Sequence, residues 1–180
     1  YETGEKKLVS RFQKGILEGQ QTEYYPNGKK RAHVSFLNNL KHGEYVAYHG
    51  NENPSIRGEF KFGTPQGVWS WYDQTGQTVL KTSQFDQGSG LMYEFYPSGE
   101  KKTESFYKNG LKDGDERLWY LSGRLQAKAK YLNGLLHGDY EEFHEDGSLL
   151  AKTNWMYGKR NGQYRSWFGN NQQQFELTFI

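Results

Sequence analysis

Histidine is the residue type in this chain best suited to metal binding, and the sequence contains five of them. His42 and His137 each stand one residue before a glycine that recurs along the chain. The same position elsewhere holds other polar residues, namely Glu18, Gln66, Ser89, Asp113 and Asn161. A zinc site needs three or four ligands that converge at close range, and this spacing indicates no such group. We therefore expect structural turn residues here and no bound metal.

Paired carboxylates are the second candidate for chemistry. They occur as Glu141-Glu142 and Glu145-Asp146, and two carboxylates are what glycoside hydrolysis requires. Both pairs lie on a repeated strand and its turn, where a solvated surface or pairing with basic residues is the favoured interpretation. The chain has no G-x-S-x-G, phosphate-loop or HExxH motif. We expect no catalytic residue and no cofactor, so an enzyme is a distant third among the candidate functions.

The residues most suggestive of binding form an aromatic row. Four of its members stand two residues after the recurring glycine, namely Tyr45, Trp69, Tyr140 and Tyr164. The fifth, Trp71, lies on the same predicted strand as Trp69. Strand parity places them opposite a second aromatic column, which contains Tyr48, Tyr72, Phe143 and Trp167. Because Tyr, Trp and Arg are the usual anchors of binding surfaces, we predict a contact surface formed by the row, with Arg57 and Lys81 at its rim. Two alternatives stay open: twist buries both faces, or a bulge at the glycine shifts the parity.

A largely basic column is predicted to point outward from the second strand of each repeat. It reads Val9, His33, Arg57, Lys81, Glu104, Lys128 and Lys152. Such a ladder could meet phosphates or anionic lipid head groups. Glu23 and Glu94 are placed to face Arg31 and Lys102 across their hairpins, which weakens any positive field. A solvated charged face is the favoured interpretation.

The elements that must position these residues follow a fixed period. A glycine returns at Gly19, Gly43, Gly67, Gly90, Gly114, Gly138 and Gly162, in steps of 24, 24, 23, 24, 24 and 24 residues. We call these the repeat glycines. A short fixed period is typical of a repeat array, in which function usually belongs to a repeated surface rather than to one catalytic pocket.

Each repeat has the pattern of two strands and two tight turns. A second glycine column marks the first turn, as in Pro26-Asn27-Gly28, and is followed by strict alternation of apolar and polar residues. The strand then ends on an aromatic residue: Phe12, Phe36, Phe60, Tyr107, Tyr131, Trp155 or Phe179. Gln84 interrupts this column, and we expect a local shift there that brings Phe85 into place.

Small residues such as Gly58 and Ala129 form a column that leaves room for rings of neighbouring repeats. The sequence predicts an all-β, elongated array of antiparallel hairpins, with a half repeat over 1–12 and seven repeats over 13–179.

Composition and charge set limits on the function. The chain has 180 residues, of which 34% are hydrophobic and 17% aromatic, so that large rings must supply most of the buried area. A net charge of +2 is too balanced to indicate binding of nucleic acid by bulk electrostatics. With no cysteine, the fold suits both oxidising and reducing compartments. No signal peptide or membrane-spanning run is evident; since the chain opens on Tyr1 in mid-repeat, we expect a fragment or a processed form.

The pattern resembles the MORN (membrane occupation and recognition nexus) repeat family, in its bacterial variant. The residues that carry the resemblance are of the type Tyr131-Leu-Asn-Gly134-Leu-Leu-His-Gly138, with Phe143 and Gly147 downstream. Similar stretches begin at Phe12 and Tyr107 and cover most of the chain. The resemblance implies a binding role: bacterial proteins of this kind are often labelled antitoxin components, and eukaryotic relatives act as scaffolds, membrane-proximal linkers or appendages to enzymes.

These observations favour a non-enzymatic binding module that docks a protein partner. A toxin would be one special case of such a partner. The alternative is a glycan or cell-envelope binder, because exposed Trp and Tyr rows can stack on sugar rings. Contact with a membrane surface has weaker support, and no feature indicates nucleic acid.

Overall fold

The computed structural model describes residues 1–2 and 4–180, which form strands and turns without any helix. The chain divides into two compact units, Tyr1–Gly90 with Pro97–Gly99, and Leu91–Tyr96 with Glu100–Ile180. Strands that follow one another pair in antiparallel fashion within each sheet. The predicted all-β array of tandem antiparallel hairpins is confirmed.

The strands fall into two main sheets. The first group comprises β1 (Leu8–Val9), β2 (Phe12–Gln13), β3 (Ile16–Leu17), β4 (Gly19–Tyr24), β5 (Lys30–Leu37), β6 (Leu40–Tyr48), β7 (Pro54–Lys61), β8 (Thr64–Tyr72) and β9 (Val79–Phe85). They form a seven-stranded sheet in the order β1-β4-β5-β6-β7-β8-β9 and a separate β2-β3 pair. The second group comprises β10 (Gly90–Phe95), β11 (Lys101–Lys108), β12 (Leu111–Trp119), β13 (Leu125–Leu132), β14 (Leu135–Leu136), β15 (Gly138–Phe143), β16 (Leu149–Met156), β17 (Lys159–Trp167) and β18 (Gln173–Phe179). They form a nine-stranded sheet in chain order, with β14 paired to β13 alone.

A bulge beside the first turn of each hairpin decides which side chains share a face. Ala47 pairs with Ile56, but the next residue, Tyr48, pairs with Pro54, so Ser55 is an extra residue on β7. The same register shift precedes the equivalent aromatic residues Tyr24, Tyr72, Trp119, Phe143 and Trp167. Since side chains alternate between faces along a strand, a shift of one residue exchanges the sets that lie together.

In each unit the inner face is therefore formed by different residues from those expected. Side chains two and four residues after the repeat glycine lie with the small residues of the neighbouring strands, as in the pairs Tyr45–Gly58 and Ala47–Ile56. The buried apolar residues of this face are Ala32, Val34, Trp69, Trp71 and Phe85 in the first unit, and Ala127, Ala129 and Ala151 in the second. Val46 and Tyr93 are also buried, but both stand three residues after a repeat glycine, and Val46 pairs with His33 and Arg57 on the outer face. Tyr48 lies instead beside His33 on the opposite, outer face, with its Oη 3.0 Å from His33 Nδ1.

The shift expected at the shortened repeat is confirmed. Phe85 is 0% exposed and pairs with Gly67, just as Phe60 pairs with Gly43 one repeat earlier. Gln84 is exposed and pairs with Val68. The turn before β9 holds one extra residue, since Tyr72 pairs with a residue seven positions on and Tyr48 with one six positions on. The turn after β9 is two residues shorter, with five positions from Phe85 to Gly90 against seven from Phe60 to Gly67. The repeat is therefore one residue short while the aromatic column is kept.

A hydrogen-bond ladder joins successive repeats along the edge formed by the first turns, which we call the first-turn edge. Tyr25 Oη donates to the Tyr48 carbonyl at 2.8 Å, and Tyr120 Oη donates to the Phe143 carbonyl at 2.7 Å. Equivalent contacts join Tyr1 to Tyr24, His49 to Tyr72, Tyr96 to Trp119 and His144 to Trp167. Each contact satisfies a backbone carbonyl beside a bulge, where the strand ladder is interrupted.

Candidate binding surface

The expectation that Trp69 and Trp71 are surface rings is wrong, because each is 2% exposed. The bulge beside the first turn places both on the inner face. There the Trp69 ring stacks on Tyr45 with centroids 5.4 Å apart and meets Phe60 edge-on at 5.1 Å. The ring also covers Gly58, where an added Cβ would lie 2.2 Å from Trp69 Cδ2. The small column does admit rings of neighbouring repeats, as expected, but these rings come from the row predicted to be exposed.

The other members of the predicted row are half-buried on the same inner face. Tyr140 Oη donates to Glu142 Oε1 at 2.6 Å, and burial together with this contact raises the pKa of Tyr140 above its usual range. Tyr164 packs edge-on against Phe175 with centroids 6.4 Å apart. Tyr45, Tyr140 and Tyr164 thus have partners within the sheet, while contact with an external partner stays a prediction.

Arg57 and Lys81 do not form one rim. Arg57 pairs with Val46 and Ser70 on the outer face. Lys81 pairs with Trp71, so the register assigns it to the inner face, and Thr82 takes the place opposite Ser70. The extra residue in the turn between β8 and β9 causes the change, because it moves β9 by one residue relative to the other second strands.

The outer face of the second unit carries a row of paired charges rather than a basic ladder. Adjacent strands place opposite charges side by side, with Arg117–Glu104 at 3.5 Å and Arg165–Glu176 at 3.5 Å. The Glu141 carboxylate lies between two lysines, and its distance to Lys152 Nζ is 3.0 Å. In the first unit Arg31 faces Glu23 at 3.8 Å, as expected, although Glu23 pairs with Ala32 and so belongs to the inner face. These side chains are substantially exposed, so the row is a solvated and largely neutralised surface.

One ion pair on the inner face, between Lys112 and Glu116, was not predicted from the sequence. Glu116 occupies the position that aromatic rings hold in other repeats, and it is 8% exposed. It accepts hydrogen bonds from Ser105 Oγ at 2.7 Å and from Lys112 Nζ. Burial alone would raise the pKa of Glu116, but these hydrogen bonds outweigh it and hold the pKa below the usual value. The signal available in the sequence was a lone acidic residue in the row that contains Tyr45 and Tyr140.

In each unit the second turns of successive repeats form another edge, which we call the second-turn edge of that unit. Here the residue before the repeat glycine accepts a hydrogen bond from a backbone N–H of the next turn. Asn38 N–H donates to Glu18 at 3.0 Å and Asn133 N–H to Asp113 at 3.1 Å. His42 and His137 play the same part, since their Nδ1 atoms accept from Phe62 and Tyr157 at 3.5 and 3.4 Å. The structure thus gives both histidines the turn-forming role expected of them.

Exposed apolar side chains recur along the second-turn edge. They are Ile16, Leu40 and Phe62 in the first unit, and Leu111, Leu135, Met156 and Tyr157 in the second, with exposures between 40% and 58%. The leucines rest on the glycine of the following turn, as Leu135 Cδ2 does at Gly158. Each unit therefore presents an apolar stripe, and such stripes mark interaction sites more often than isolated apolar residues do.

Phe62 and Tyr157 are unusual within this stripe. Their φ angles are 48° and 49°, in the left-handed region, where other repeats place Lys14, Asn38, Gln87, Asn109 and Asn133. Each ring packs on the histidine of the preceding turn with centroids 4.7 Å apart. Neither residue was predicted from the sequence, although an aromatic ring at a position otherwise held by asparagine, lysine or glutamine was the available signal.

Two further features bear on the possible chemistry. No three His, Cys, Asp or Glu side chains converge into a metal-binding group in the part of the chain that the structure describes. Residues 1–2 and 4–180 also include no helix with the length and hydrophobicity to cross a bilayer.

Comparison with known families supports the assignment of the repeats. The family described as MORN repeat variant matches residues 17–38, 89–109 and 136–156. Each match covers the two strands of one hairpin and the turn between them, so the resemblance to MORN repeats is confirmed for these segments. No curated protein matches the chain. Repeats of this family are generally associated with binding or scaffold roles.

Proposed function

We propose that this chain is a non-enzymatic binding module that docks a protein partner along its second-turn edge. The observation that carries the proposal is the recurrence of exposed Leu, Ile, Met and aromatic side chains in the second turns of each unit. Leu111 and Leu135, for example, are about half exposed and occupy equivalent positions in successive repeats. Apolar side chains presented by a rigid scaffold lose little entropy on binding.

The contacts of the carboxylates support a role without catalysis. Glu116 is saturated by Lys112 and Ser105, and Glu142 accepts from Tyr140. A general acid or base needs a carboxylate that can reach a substrate proton, whereas these carboxylates have structural partners.

The partner we favour is a protein rather than a glycan. Stacking on sugar rings would require flat exposed aromatic faces, and Trp69 and Trp71 do not offer them. A toxin protein is the narrower proposal that the resemblance to antitoxin-like MORN proteins suggests.

The test compares the chain with an edge variant in lysate from its native organism. The double variant Leu111→Ser/Leu135→Ser removes apolar area from the second-turn edge. The matched control is Leu121→Ser, which alters an exposed leucine on the first-turn edge. We expect a protein to be captured by the wild type and the control but lost with the double variant. Equal capture by all three, or binding to purified glycans unaffected by the double variant, would refute the proposal.

A further inference from the structure

The second-turn edge carries lysines that form no ion pair within the described residues: Lys14, Lys61, Lys108 and Lys159. All are exposed, and each lies in or next to a turn of the apolar stripe. Lys61 directly precedes Phe62, and Lys159 follows Tyr157 by two residues. The edge therefore combines apolar contact area with lysines that no ion pair holds within the described residues.

The acidic residues of the same edge are engaged elsewhere. Glu18 and Asp113 accept hydrogen bonds from the backbone of the next turn, at 3.0 and 3.1 Å. Asp86 accepts from Gln66 Nε2 at 3.5 Å. These hydrogen bonds fix the carboxylates within the turns but leave their negative charge in place. The lysines, which no ion pair holds, are free to reach toward whatever approaches the edge.

We propose that the second-turn edge recognises an acidic protein segment that also presents apolar side chains. This inference rests on the protein-docking role proposed above and specifies the chemistry of the partner. Carboxylates of the segment would face the lysines and steer its approach, while its apolar side chains would cover the stripe and supply most of the affinity.

Phe62 and Tyr157 are the anchors of this recognition, one in each unit. Each backbone is held in the left-handed region by a hydrogen bond to a histidine Nδ1, and each ring is fixed against that histidine while more than half of its surface stays exposed. A bulky residue in this backbone region is strained, and asparagine at the same place would not be. Strain retained at an exposed, immobilised ring points to a role in binding.

The test uses synthetic peptides as probes. The main probe contains Glu, Leu and Phe; one control peptide replaces Glu by Lys, and another replaces the apolar residues by Ser. Protein variants are Phe62→Asn/Tyr157→Asn, which keeps the left-handed turns, and Lys61→Glu/Lys159→Glu. The matched protein control is Phe168→Asn, at an exposed ring on the first-turn edge. Binding is measured by fluorescence anisotropy at low and high salt.

We expect only the acidic apolar peptide to bind, with added salt weakening it. Each double variant should lower its affinity by about tenfold or more, while Phe168→Asn leaves it unchanged. Equal binding of the Lys peptide, or no effect of the Asn double variant, would overturn the inference. Tighter binding to phosphatidylserine vesicles, lost in the same variants, would overturn it in favour of a membrane surface. A captured protein that depends on Leu111 and Leu135 but is not displaced by the acidic peptide would overturn this inference alone and leave the proposed function standing.

Discussion

Adding a single methyl group at Gly58 tests the packing of the inner face most directly. In Gly58→Ala the new Cβ would lie 2.2, 2.4 and 2.7 Å from Cδ2, Cε2 and Cε3 of Trp69. Gly58 does not have a left-handed backbone, so any cost comes from this collision alone. The Trp69 ring cannot withdraw easily, because Tyr45, Phe60 and Phe85 surround it at centroid distances of 5.4, 5.1 and 5.8 Å.

The expected loss of stability is about 3 kcal/mol, the upper end of the usual cost of overpacking a core. The chain itself suggests a compensating change. In the second unit Ala129 takes the position of Gly58, and Tyr140 takes that of Trp69. The register that aligns Ala127 with Glu142 brings Ala129 opposite Tyr140, so a tyrosine at this position tolerates alanine across from it. In a Trp69→Tyr background we therefore expect Gly58→Ala to cost less than about 1 kcal/mol, a coupling of about 2 kcal/mol.

The measurement is urea unfolding of wild type, both single variants and the double variant, followed by circular dichroism and fluorescence. Trp69→Tyr alone should destabilise, since it leaves a cavity. If Gly58→Ala costs the same in both backgrounds, the collision with Trp69 is not the cause. If it costs nothing in the wild type, Trp69 does not cover residue 58 and the assignment of faces is wrong.

Three further predictions concern the edges and the buried ion pair. Lys112→Met should lower the free energy of unfolding by about 2 kcal/mol, because it leaves the buried Glu116 carboxylate without its cation. Since the pKa of Glu116 is lowered in the folded state, the stability that this carboxylate contributes is complete above about pH 4.5, the usual carboxyl value, and is lost as the pH falls through the folded pKa. Acid unfolding of Glu116→Gln should lack this loss. Phe62→Asn and Tyr157→Asn should each raise the free energy of unfolding by up to about 1 kcal/mol, because asparagine tolerates the left-handed region; a loss of stability in urea titrations would contradict the strain argument. Tyr120→Phe should cost about 1 kcal/mol by removing one rung between repeats, and an unchanged urea midpoint would show that the rung contributes nothing.

The sequence by itself determined the repeat and its local structure. Glycines at a fixed period, turn residues such as Asn27-Gly28 and strict alternation from Leu125 to Tyr131 are local signals, because each reflects the backbone preference or exposure of residues close in the chain. Even the irregular repeat was readable, since Phe85 beside Gln84 offered the only apolar residue able to fill the aromatic column.

Tertiary structure alone decided which side chains share a face. Alternation along one strand is a local property, but its alignment with the next strand depends on the bulge between Ala47 and Tyr48 and its equivalents. No residue type marks that bulge, because the extra position is held by Ser55, Gln126 or Leu150 in different repeats. Its presence moves Trp69 from the predicted surface to the core. The exposed stripe on the second-turn edge likewise arises only when the turns stack, because Leu40 and Phe62 belong to different repeats and become neighbours through the hydrogen bonds between their turns.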